Sequence, residues 1–306
     1  SPPQPSPGKE RELLKTQHAK MKEKKLNQKP KLIVICGPTA TGKSDYAVTL
    51  AKKIGGEVIS ADSRQVYKGL DIGSGKITKK EMRGVPHHLL DVASPKNVFT
   101  VERFQKLGKK TITDILKRGK TPILCGGTGF YIDALVYESA FPSVGPNKAL
   151  RARLEKKSVE KLFTLLKEKD PERANSIDSK NKVRLIRALE IIEILGKVPE
   201  IKKESPYDIE WIGLDFPDEI LKGRIHARLL ARIKKEMLKE AHNLHTQGLS
   251  WKRMRELGLE YRFMADHLTG KISKDEMVTL LETAIWQYAK RQRTWFKKNK
   301  EIKWVK

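Results

Sequence analysis

The feature that most constrains this 306-residue chain is a glycine-rich run between an apolar segment and a helical pattern. The run reads GPTATGKS from Gly37 to Ser44 and matches the G-x4-G-K-[S/T] pattern of a P-loop. The apolar segment 31–36 precedes it, and the helical pattern continues through Lys53. In such a loop, backbone N–H groups wrap a phosphate chain at the positive end of the helix, Lys43 adds a charge, and Ser44 can ligate Mg²⁺. The run therefore predicts a polyphosphate site, but it does not specify a reaction.

Further apolar segments alternate with helical patterns, as in a doubly wound parallel sheet. The predicted strands after the first are 57–60, 122–125 and 210–215, and a helix is predicted over 101–118. Between 143 and 196 no strand pattern occurs, and charged helices are predicted over 147–157, 159–167 and 181–195. The predicted fold class is α/β, with a P-loop NTPase-like doubly wound parallel sheet and a helical insertion domain.

These patterns divide the chain into four parts. Residues 1–30 are rich in Pro and Lys and are predicted to be a basic N-terminal tail. The P-loop catalytic core begins at 31–142 and resumes at 200–306, where it ends in basic helices. Residues 143–199 form the helical insertion between the two parts of the core.

The charge of the chain favours a polyanionic partner. Lys and Arg number 63 against 37 Asp and Glu, which leaves a net charge of +26. Residues 1–30 carry +5 and residues 286–306 carry +7, so most of the excess lies on the folded body. Such a balance predicts salt-sensitive association, as in an enzyme that binds nucleic acid. A proteome-wide preference for Lys is the alternative explanation.

Cysteine and hydropathy patterns exclude several classes of protein. Cys36 and Cys125 both lie in apolar segments, so neither a disulfide framework nor a four-ligand zinc site is predicted. The adjacent His87 and His88 have no partner cluster and are predicted to be structural. No apolar run approaches the roughly 20 residues of a membrane helix, and no secretory stretch is present. We therefore expect a cytoplasmic protein with no membrane partner.

One acidic residue is placed to act as a general base. An NTPase or kinase needs a carboxylate at the end of a strand next to the P-loop, but segment 122–125 runs directly into Gly126 and Gly127. Asp62 instead follows segment 57–60. A single carboxylate beside a bound pyrophosphate suits a base for an incoming nucleophile. The alternative is that Asp62 is a helix cap or a surface acid.

Several motifs together resemble the tRNA dimethylallyltransferases, also called tRNA isopentenyltransferases. The motifs are GPTATGKS, ISADSRQVYKGLDIGSGK, PHHLLD and GGTGFYIDAL, and the resemblance runs from about Lys31 to the C-terminus through 150–153, 184–190 and 290–295. It implies a P-loop core with a helical insertion. It also implies transfer of a dimethylallyl group from dimethylallyl diphosphate, with Mg²⁺, to the exocyclic amine of the adenosine 3′ of the anticodon. The expected partners are thus this donor and the tRNA anticodon stem-loop, and we expect a monomer.

The resemblance assigns roles to individual residues. Asp62 is the implied base, Thr39 and Arg228 contact the leaving group, and Ser44 is the implied metal ligand. The implied diphosphate contacts are Gly37, Pro38, Thr39, Ala40, Thr41, Gly42, Lys43 and Ser44. The implied tRNA contacts are Asp62, Ser63, Arg64, Gln65, Thr128, Arg151, Val183, Arg184, Leu185, Ile186 and Arg187.

Two positions depart from the pattern of the family. Many members read DIGTAK where this chain reads DIGSGK, which places Gly75 in the turn. A late Gly-Tyr-Arg is replaced here by Glu260-Tyr-Arg. A carboxylate near RNA is unfavourable, so we expect Arg262 or Arg255 to neutralise Glu260.

The basic C-terminal segment allows two further expectations. Trp286, Trp295 and Trp304 are nine residues apart and are predicted to pack along one helical face. Arg291 and Arg293 lie between them and are predicted RNA contacts.

Three alternatives remain open on the sequence. An adenylate isopentenyltransferase would prenylate a free nucleotide, although it would need no broad basic face. A P-loop small-molecule kinase would turn over ATP without a prenyl donor. An RNA-binding protein with a vestigial P-loop would need none of the intact residues Lys43, Ser44 and Asp62.

Overall fold

The structure is a computed structural model, which describes residues 29–137, 142, 144–199 and 204–305. The predicted tail 1–30 therefore lies almost entirely outside the described residues. The chain divides into two compact units. One extends to Val136 and resumes at Ser205, and the other is Tyr137–Glu204.

The first unit is built on a six-stranded sheet in which every neighbouring pair of strands is parallel. The strand order is β3-β2-β4-β1-β5-β6. The strands are β1 (Lys31–Cys36), β2 (Gly56–Ser60), β3 (His87–His88), β4 (Thr121–Gly126), β5 (Asp208–Leu214) and β6 (Lys303–Val305).

Helices follow the strands as in a doubly wound fold. In the amino-terminal part they are α1 (Lys43–Ile54), α2 (Lys79–Met82), α3 (Val101–Lys117) and α4 (Gly129–Val136). After β5 come α9 (Asp218–Lys234), α10 (Met237–Thr246), α11 (Trp251–Leu257), α12 (Leu259–Leu268) and α13 (Lys274–Phe296).

The sheet order places the switch in winding direction between β1 and β4. From β1 the chain passes through α1 to β2, beyond β4, whereas β5 lies on the other side of β1. Ligands of open parallel sheets bind at the carboxyl ends of the strands at such a switch. The loop after β1 is the P-loop, and the loop after β4 begins at Gly127, so both face this crevice.

The central strands of the sheet are buried, because they carry apolar side chains on both faces. Leu32, Val34, Ile35 and Cys36 of β1 have no exposed surface. Central parallel strands are covered by helices on both sides, which explains the uninterrupted apolar runs in the sequence. The buried strands therefore provide a rigid edge for the loops that follow them.

The second unit is a helical cluster with its own core. Its helices are α5 (Lys148–Glu155), α6 (Val159–Lys169), α7 (Pro171–Ser176) and α8 (Lys182–Leu195). Asn147, Ser158, Asp170 and Asn181 each accept a backbone N–H bond as the N-cap of one of these four helices. The shared core includes Leu162, Leu166 and Leu185, which are fully buried.

Several short elements were not predicted from the sequence, among them β3, α7 and β6. β3 has only two residues, and α7 is a single short helix between two longer ones. β6 lies beyond α13, where Trp304 is 40% exposed and covers Gly213 of β5. The expectation that Trp304 continues a helical face is therefore wrong, because the helix ends at Phe296 and the chain then joins the sheet.

Candidate active site

The P-loop has a conformation that requires glycine at two positions. Gly37 has φ of 138°, and a Cβ there would lie 2.1 Å from the carbonyl oxygen of Leu214. Gly42 has φ of 85° and is the N-cap of α1 without a side-chain cap. The first N–H groups of α1 therefore point into the loop without a capping side chain, as an anion site requires.

Hydrogen bonds within the first unit hold the loop in shape. The Thr41 hydroxyl donates to the Pro38 carbonyl at 2.9 Å, and Arg224 Nε donates to the Ala40 carbonyl at 2.7 Å. Thr41 is buried by these contacts, whereas Thr39 keeps part of its surface. These contacts fix the conformation of the loop.

Lys43 points back over the loop. Its ammonium donates to the Pro38 carbonyl and lies 3.4 Å from the Thr41 hydroxyl. Desolvation at this crowded position lowers the pKa of Lys43 to about 8, and the charge of Arg228 acts in the same direction. An anionic ligand would favour the charged form.

Asp62 lies just past β2, in the loop that faces the P-loop. Its Oδ1 accepts backbone N–H bonds from Arg64 at 2.7 Å and Gln65 at 3.3 Å. The other carboxylate oxygen accepts no hydrogen bond from the described residues. One oxygen thus fixes the turn, and the second can accept a proton.

Two arginines of α9 approach the site from the second part of the core. Arg228 Nη2 donates to the Gly75 carbonyl at 3.2 Å, and burial lowers the pKa of Arg228, as does Arg232. A Cβ at Gly75 would lie 2.3 Å from Arg228 Nη2, so the glycine at this position allows the close approach. Arg224 holds the P-loop as described above.

Helix α13 contributes two residues that the sequence reasoning missed. The Thr39 N–H donates to Gln292 Oε1 at 2.8 Å, and Gln292 Nε2 donates to the Gly127 carbonyl at 2.8 Å. Burial raises the pKa of the Tyr288 phenol to about 12, and this phenol hydrogen-bonds Thr128. The run 290–295 quoted for the family resemblance contains Gln292, which is the signal that could have identified it.

The turn at Asp71–Gly75 is held by a carboxylate and a guanidinium. Glu240 accepts backbone N–H bonds from Asp71, Ile72 and Gly73 at 2.6–3.0 Å, and the Tyr261 hydroxyl donates to it at 2.8 Å. Arg232 Nη1 donates to the Gly73 carbonyl at 2.7 Å. The turn is therefore a fixed wall beside Arg228.

Arg232 also neutralises Glu260, which corrects the expectation from the sequence. Arg232 Nη1 lies 3.0 Å from Glu260 Oε1, and both side chains are mostly buried. Arg255 instead pairs with Asp266 at 2.6 Å. Glu260 points toward α9 within the first unit because it belongs to the buried face of α12.

These groups surround one cavity of about 550 Å³. Its walls combine the P-loop, the loop after β2, the turn at 74–75, and side chains of α9 and α13. Its lining includes Thr39, Ala40, Gly42, Lys43, Ser44, Asp62, Gln65, Gly75, Arg228, Tyr288 and Gln292. Thus the cavity contains the implied base and most of the implied diphosphate contacts.

Three of the other implied RNA contacts, Ser63, Arg64 and Thr128, lie beside this cavity. The Ser63 N–H donates to Thr128 Oγ1 at 3.1 Å, which joins the loops after β2 and β4. Arg64 is partly buried, and its guanidinium donates to the Ser63 carbonyl at 3.3 Å. Segment 62–65 and Thr128 therefore form one continuous rim.

The implied RNA contacts in the helical unit differ in their solvent exposure. Val183 and Arg184 are exposed at the start of α8. Leu185 and Ile186 have side chains buried in the core, so RNA contact at these two positions stays a prediction. The physical reason for their burial is the helical repeat, which turns these two positions toward α5 and α6.

Arg151 and Arg187 are tied to Glu190 in the same unit. Arg151 makes two hydrogen bonds of 2.7 Å to this buried carboxylate. Arg187 lies 3.6 Å from it and donates to the Val144 carbonyl at 2.7 Å. Both guanidinium groups are partly exposed, so an RNA phosphate would share them with Glu190.

Other sequence expectations can be compared with the described residues. The prediction that Arg293 contacts RNA is wrong. Its side chain is mostly buried and forms ion pairs with Asp215 at 2.7 Å and Asp218 at 2.6 Å. His88 bonds Glu57 at 2.7 Å. Within the described ranges, no cluster of three or more His, Cys, Asp or Glu could hold a metal, and no helix could cross a membrane.

Known proteins are similar to this chain over most of its length. The model of the IPP transferase family matches residues 65–299. The "tRNA dimethylallyltransferase 2" of Treponema denticola is 47% identical over 290 residues, which is 92% of this chain and 97% of that protein.

Solved structures are also similar to this chain. The tRNA isopentenylpyrophosphate transferase of Bacillus halodurans is 39% identical, covers 90% of each chain and superposes with a TM-score of 0.69. A eukaryotic dimethylallyltransferase described as acting on tRNA is 28% identical, with a TM-score of 0.74 over 87% of this chain and 70% of that one. On these matches, the chain belongs to the family of tRNA dimethylallyltransferases, also known as IPP transferases.

Proposed function

We propose that this protein transfers a dimethylallyl group from dimethylallyl diphosphate to the exocyclic amine of the adenosine 3′ of the anticodon in tRNA. One observation carries the proposal: Asp62 lines the same cavity as the P-loop, and β4 ends in glycine with no second carboxylate. This arrangement suits a leaving diphosphate and an incoming amine. The other two carboxylates that line the cavity are engaged elsewhere, since Asp45 pairs with Arg83 and Glu81 accepts from Thr78 in a capping box. Among the described residues, the end of β4 therefore carries no acid that would aim water at a γ-phosphate.

The donor diphosphate would occupy the P-loop. The uncapped N–H groups of α1, the Lys43 ammonium and the Thr39 hydroxyl would bind its oxygens, and Arg228 would contact it from the opposite wall. These groups favour the charge that develops on the leaving group more than the charge already present in the donor.

Mg²⁺ fits this site as a partner of the diphosphate. Ser44 is exposed at the start of α1 and lines the cavity, and Mg²⁺ needs only one or two protein ligands when phosphate oxygens and waters supply the rest. The ion would supply charge neutralisation for the leaving diphosphate. Ser44 would hold it through the hydroxyl.

The reaction forms the N6–C1 bond, breaks the C1–O bond and moves one proton from N6 to Asp62. The adenine N6 lone pair attacks C1 of the dimethylallyl group, and the C1–O bond to the diphosphate breaks with its electron pair remaining on oxygen. Asp62 accepts the proton that N6 loses. Because Asp62 Oδ1 is already bonded to the turn, Oδ2 is the oxygen assigned to this proton.

The acceptor base would lie along the rim formed by 62–65 and Thr128. An adenosine in an anticodon loop must leave its stack to reach a cavity of this kind, and a flipped base is read by such a pocket. Arg184 and Val183 are exposed and suited to contact RNA from the helical unit. We propose that this unit binds the anticodon stem-loop.

One assay tests the proposal directly. The protein is incubated with unmodified tRNA, dimethylallyl diphosphate and Mg²⁺. The tRNA is then digested, and the masses of the nucleosides are measured by mass spectrometry. A gain of one dimethylallyl group on one adenosine is the expected result. Prenylation of free AMP in preference to tRNA would indicate an adenylate isopentenyltransferase, and ATP turnover without a prenyl donor would indicate a kinase.

A further inference from the structure

A second cavity lies entirely within the helical unit. Its volume is about 800 Å³, and it is lined by residues of α5, α6 and α8 and of the connection between α5 and α6. Five cationic side chains line it against one carboxylate, that of Glu193. We refer to these five as the basic groove: Arg153, Lys156, Lys157, Lys161 and Lys169.

The cations of the basic groove have no anionic partner in the part of the chain that the structure describes. None of them makes an ion pair or a side-chain hydrogen bond there. Arg151 and Arg187 of the same unit are instead paired with Glu190. Clustered like charges repel one another and attract anions, so the basic groove is a site of positive potential.

The floor of the basic groove is apolar. Leu150, Leu154 and Leu189 are almost fully buried beneath the cations, and Leu165 joins them. A ligand that presents phosphates to the rim and a sugar or base to the floor suits this surface. The volume exceeds what a single inorganic phosphate needs, and it is large enough for one or two nucleotides.

The basic groove and the predicted anticodon contact lie on different sides of α8. Arg184 and Glu193 are nine residues apart, which is two and a half turns of an α-helix and therefore about half a revolution. Arg184 is exposed at the start of α8, whereas Leu189 and Glu193 line the groove. The same nucleotides of an RNA therefore cannot contact both Arg184 and the basic groove.

We propose that the basic groove binds the phosphodiester backbone of the RNA substrate, at a segment separate from the one that contacts Arg184. This proposal rests on the proposed function, in which the substrate is tRNA. The leucine floor and the cationic rim favour a nucleotide chain over a free inorganic ion. The groove would therefore add affinity for tRNA without touching the reacting atoms.

The test removes charge from the basic groove and measures RNA binding against salt. The triple variant Lys156→Gln/Lys157→Gln/Lys161→Gln is compared with the control Lys52→Gln/Lys53→Gln/Lys110→Gln, which removes three exposed lysines of α1 and α3. Each lost phosphate contact lowers the slope of log K against log salt by about one. For the groove triple we expect a slope smaller by about two to three and a dissociation constant at least about tenfold higher, with little change in the control.

Two RNAs locate the contact. A loss with both full tRNA and an isolated anticodon stem-loop assigns the phosphates to the stem, and a loss with full tRNA alone assigns them to the rest of the tRNA. The double variant Arg153→Gln/Lys169→Gln, on other positions of the groove, should reproduce the effect. A salt slope equal to that of the control with both RNAs overturns the proposal.

Other readouts separate this proposal from the function itself. The rate at saturating tRNA should not change in the groove triple, whereas the KM for tRNA should rise. If AMP or inorganic phosphate binds the wild type and not the triple while RNA binding is unchanged, the groove is a small-anion site and the proposal is wrong. If the wild type leaves tRNA unmodified, the proposed function fails, and the binding data still report on the groove.

Discussion

Asp62 combines two tasks in one side chain. Its Oδ1 bonds the turn at 64–65 and leaves Oδ2 toward the cavity. The Asp62→Asn substitution keeps a carbonyl oxygen for the turn but removes the basic oxygen. It therefore separates the structural task from the chemical one better than Asp62→Ala does.

We expect Asp62→Asn to slow prenyl transfer by about two to four orders of magnitude, the usual scale for a general base. Single-turnover transfer rates measure this effect. The dissociation constant of tRNA should stay within about twofold, since no phosphate contact is removed. Full transfer activity in the Asn and Ala variants would exclude Asp62 from proton transfer.

Lys43 should make donor binding depend on pH. Burial lowers its pKa to about 8, so the ammonium is present below that pH and is lost as the pH rises through it. Because the diphosphate favours the charged form, donor affinity should be constant well below pH 8 and should fall above it, by up to about tenfold per pH unit.

Equilibrium binding of dimethylallyl diphosphate across pH measures this behaviour. The matched control is Lys43→Ala, which should bind the donor weakly at every pH and show no step near pH 8. A step of equal size in Lys43→Ala would assign the pH dependence to another group.

At the scale of elements, α13 ties together the two loops that meet at the crevice. Gln292 accepts from Thr39 of the P-loop and donates to Gly127 after β4, and its side chain is buried. The Gln292→Leu substitution would leave the partly buried Thr39 N–H and the buried Gly127 carbonyl without these partners. Water can reach the partly buried N–H, so most of the cost comes from the buried carbonyl, at about 1–3 kcal/mol.

We expect Gln292→Leu to raise the KM for the donor by about tenfold and to lower the free energy of unfolding by about 1–3 kcal/mol. Donor titrations and chemical denaturation measure the two effects. Gln287→Leu is the control, because Gln287 is an exposed residue on the same helix. Equal effects of the two substitutions would show that Gln292 does not position the P-loop.

Strands and helices that bury a regular face could be predicted from the sequence. β1 begins and ends as predicted, and the other predicted strands and helices agree within a few residues. β3 and β6 could not be predicted, because two or three residues carry no periodicity and form only by pairing with β2 and β5. Their existence depends on tertiary contacts.

The candidate site was predictable where it follows a local motif and not where it depends on packing. The P-loop and Asp62 lie in contiguous motifs and line one cavity. The partner of Glu260 could not be predicted, since Arg232 comes from another helix and no sequence spacing relates the two. Leu185 and Ile186 belong to the same motif as the exposed Val183 and Arg184, but the helical repeat buries their side chains, which the motif alone does not indicate.

At the scale of the whole molecule, the charge of +26 predicts different salt responses for the two substrates. Raising KCl from 50 to 200 mM should increase the KM for tRNA by at least about tenfold, because several phosphate contacts are weakened together. The KM for the small donor should change much less.

Steady-state kinetics at fixed Mg²⁺ measure both constants, and wild-type protein suffices. A KM for tRNA that does not change with salt would show that the excess positive charge lies away from the bound RNA. It would also favour a small acceptor such as a free nucleotide.

The helix after the P-loop starts at a glycine and receives no side-chain cap from the protein. An anion bound at this end would accept hydrogen bonds from the opening amides of the helix, which would link ligand binding to the stability of the fold. Binding of an anion at the P-loop should therefore stabilise the folded protein. Pyrophosphate alone, without any prenyl transfer, should raise the melting temperature. A thermal scan could then rank ligands of the P-loop by how far each one raises the melting temperature.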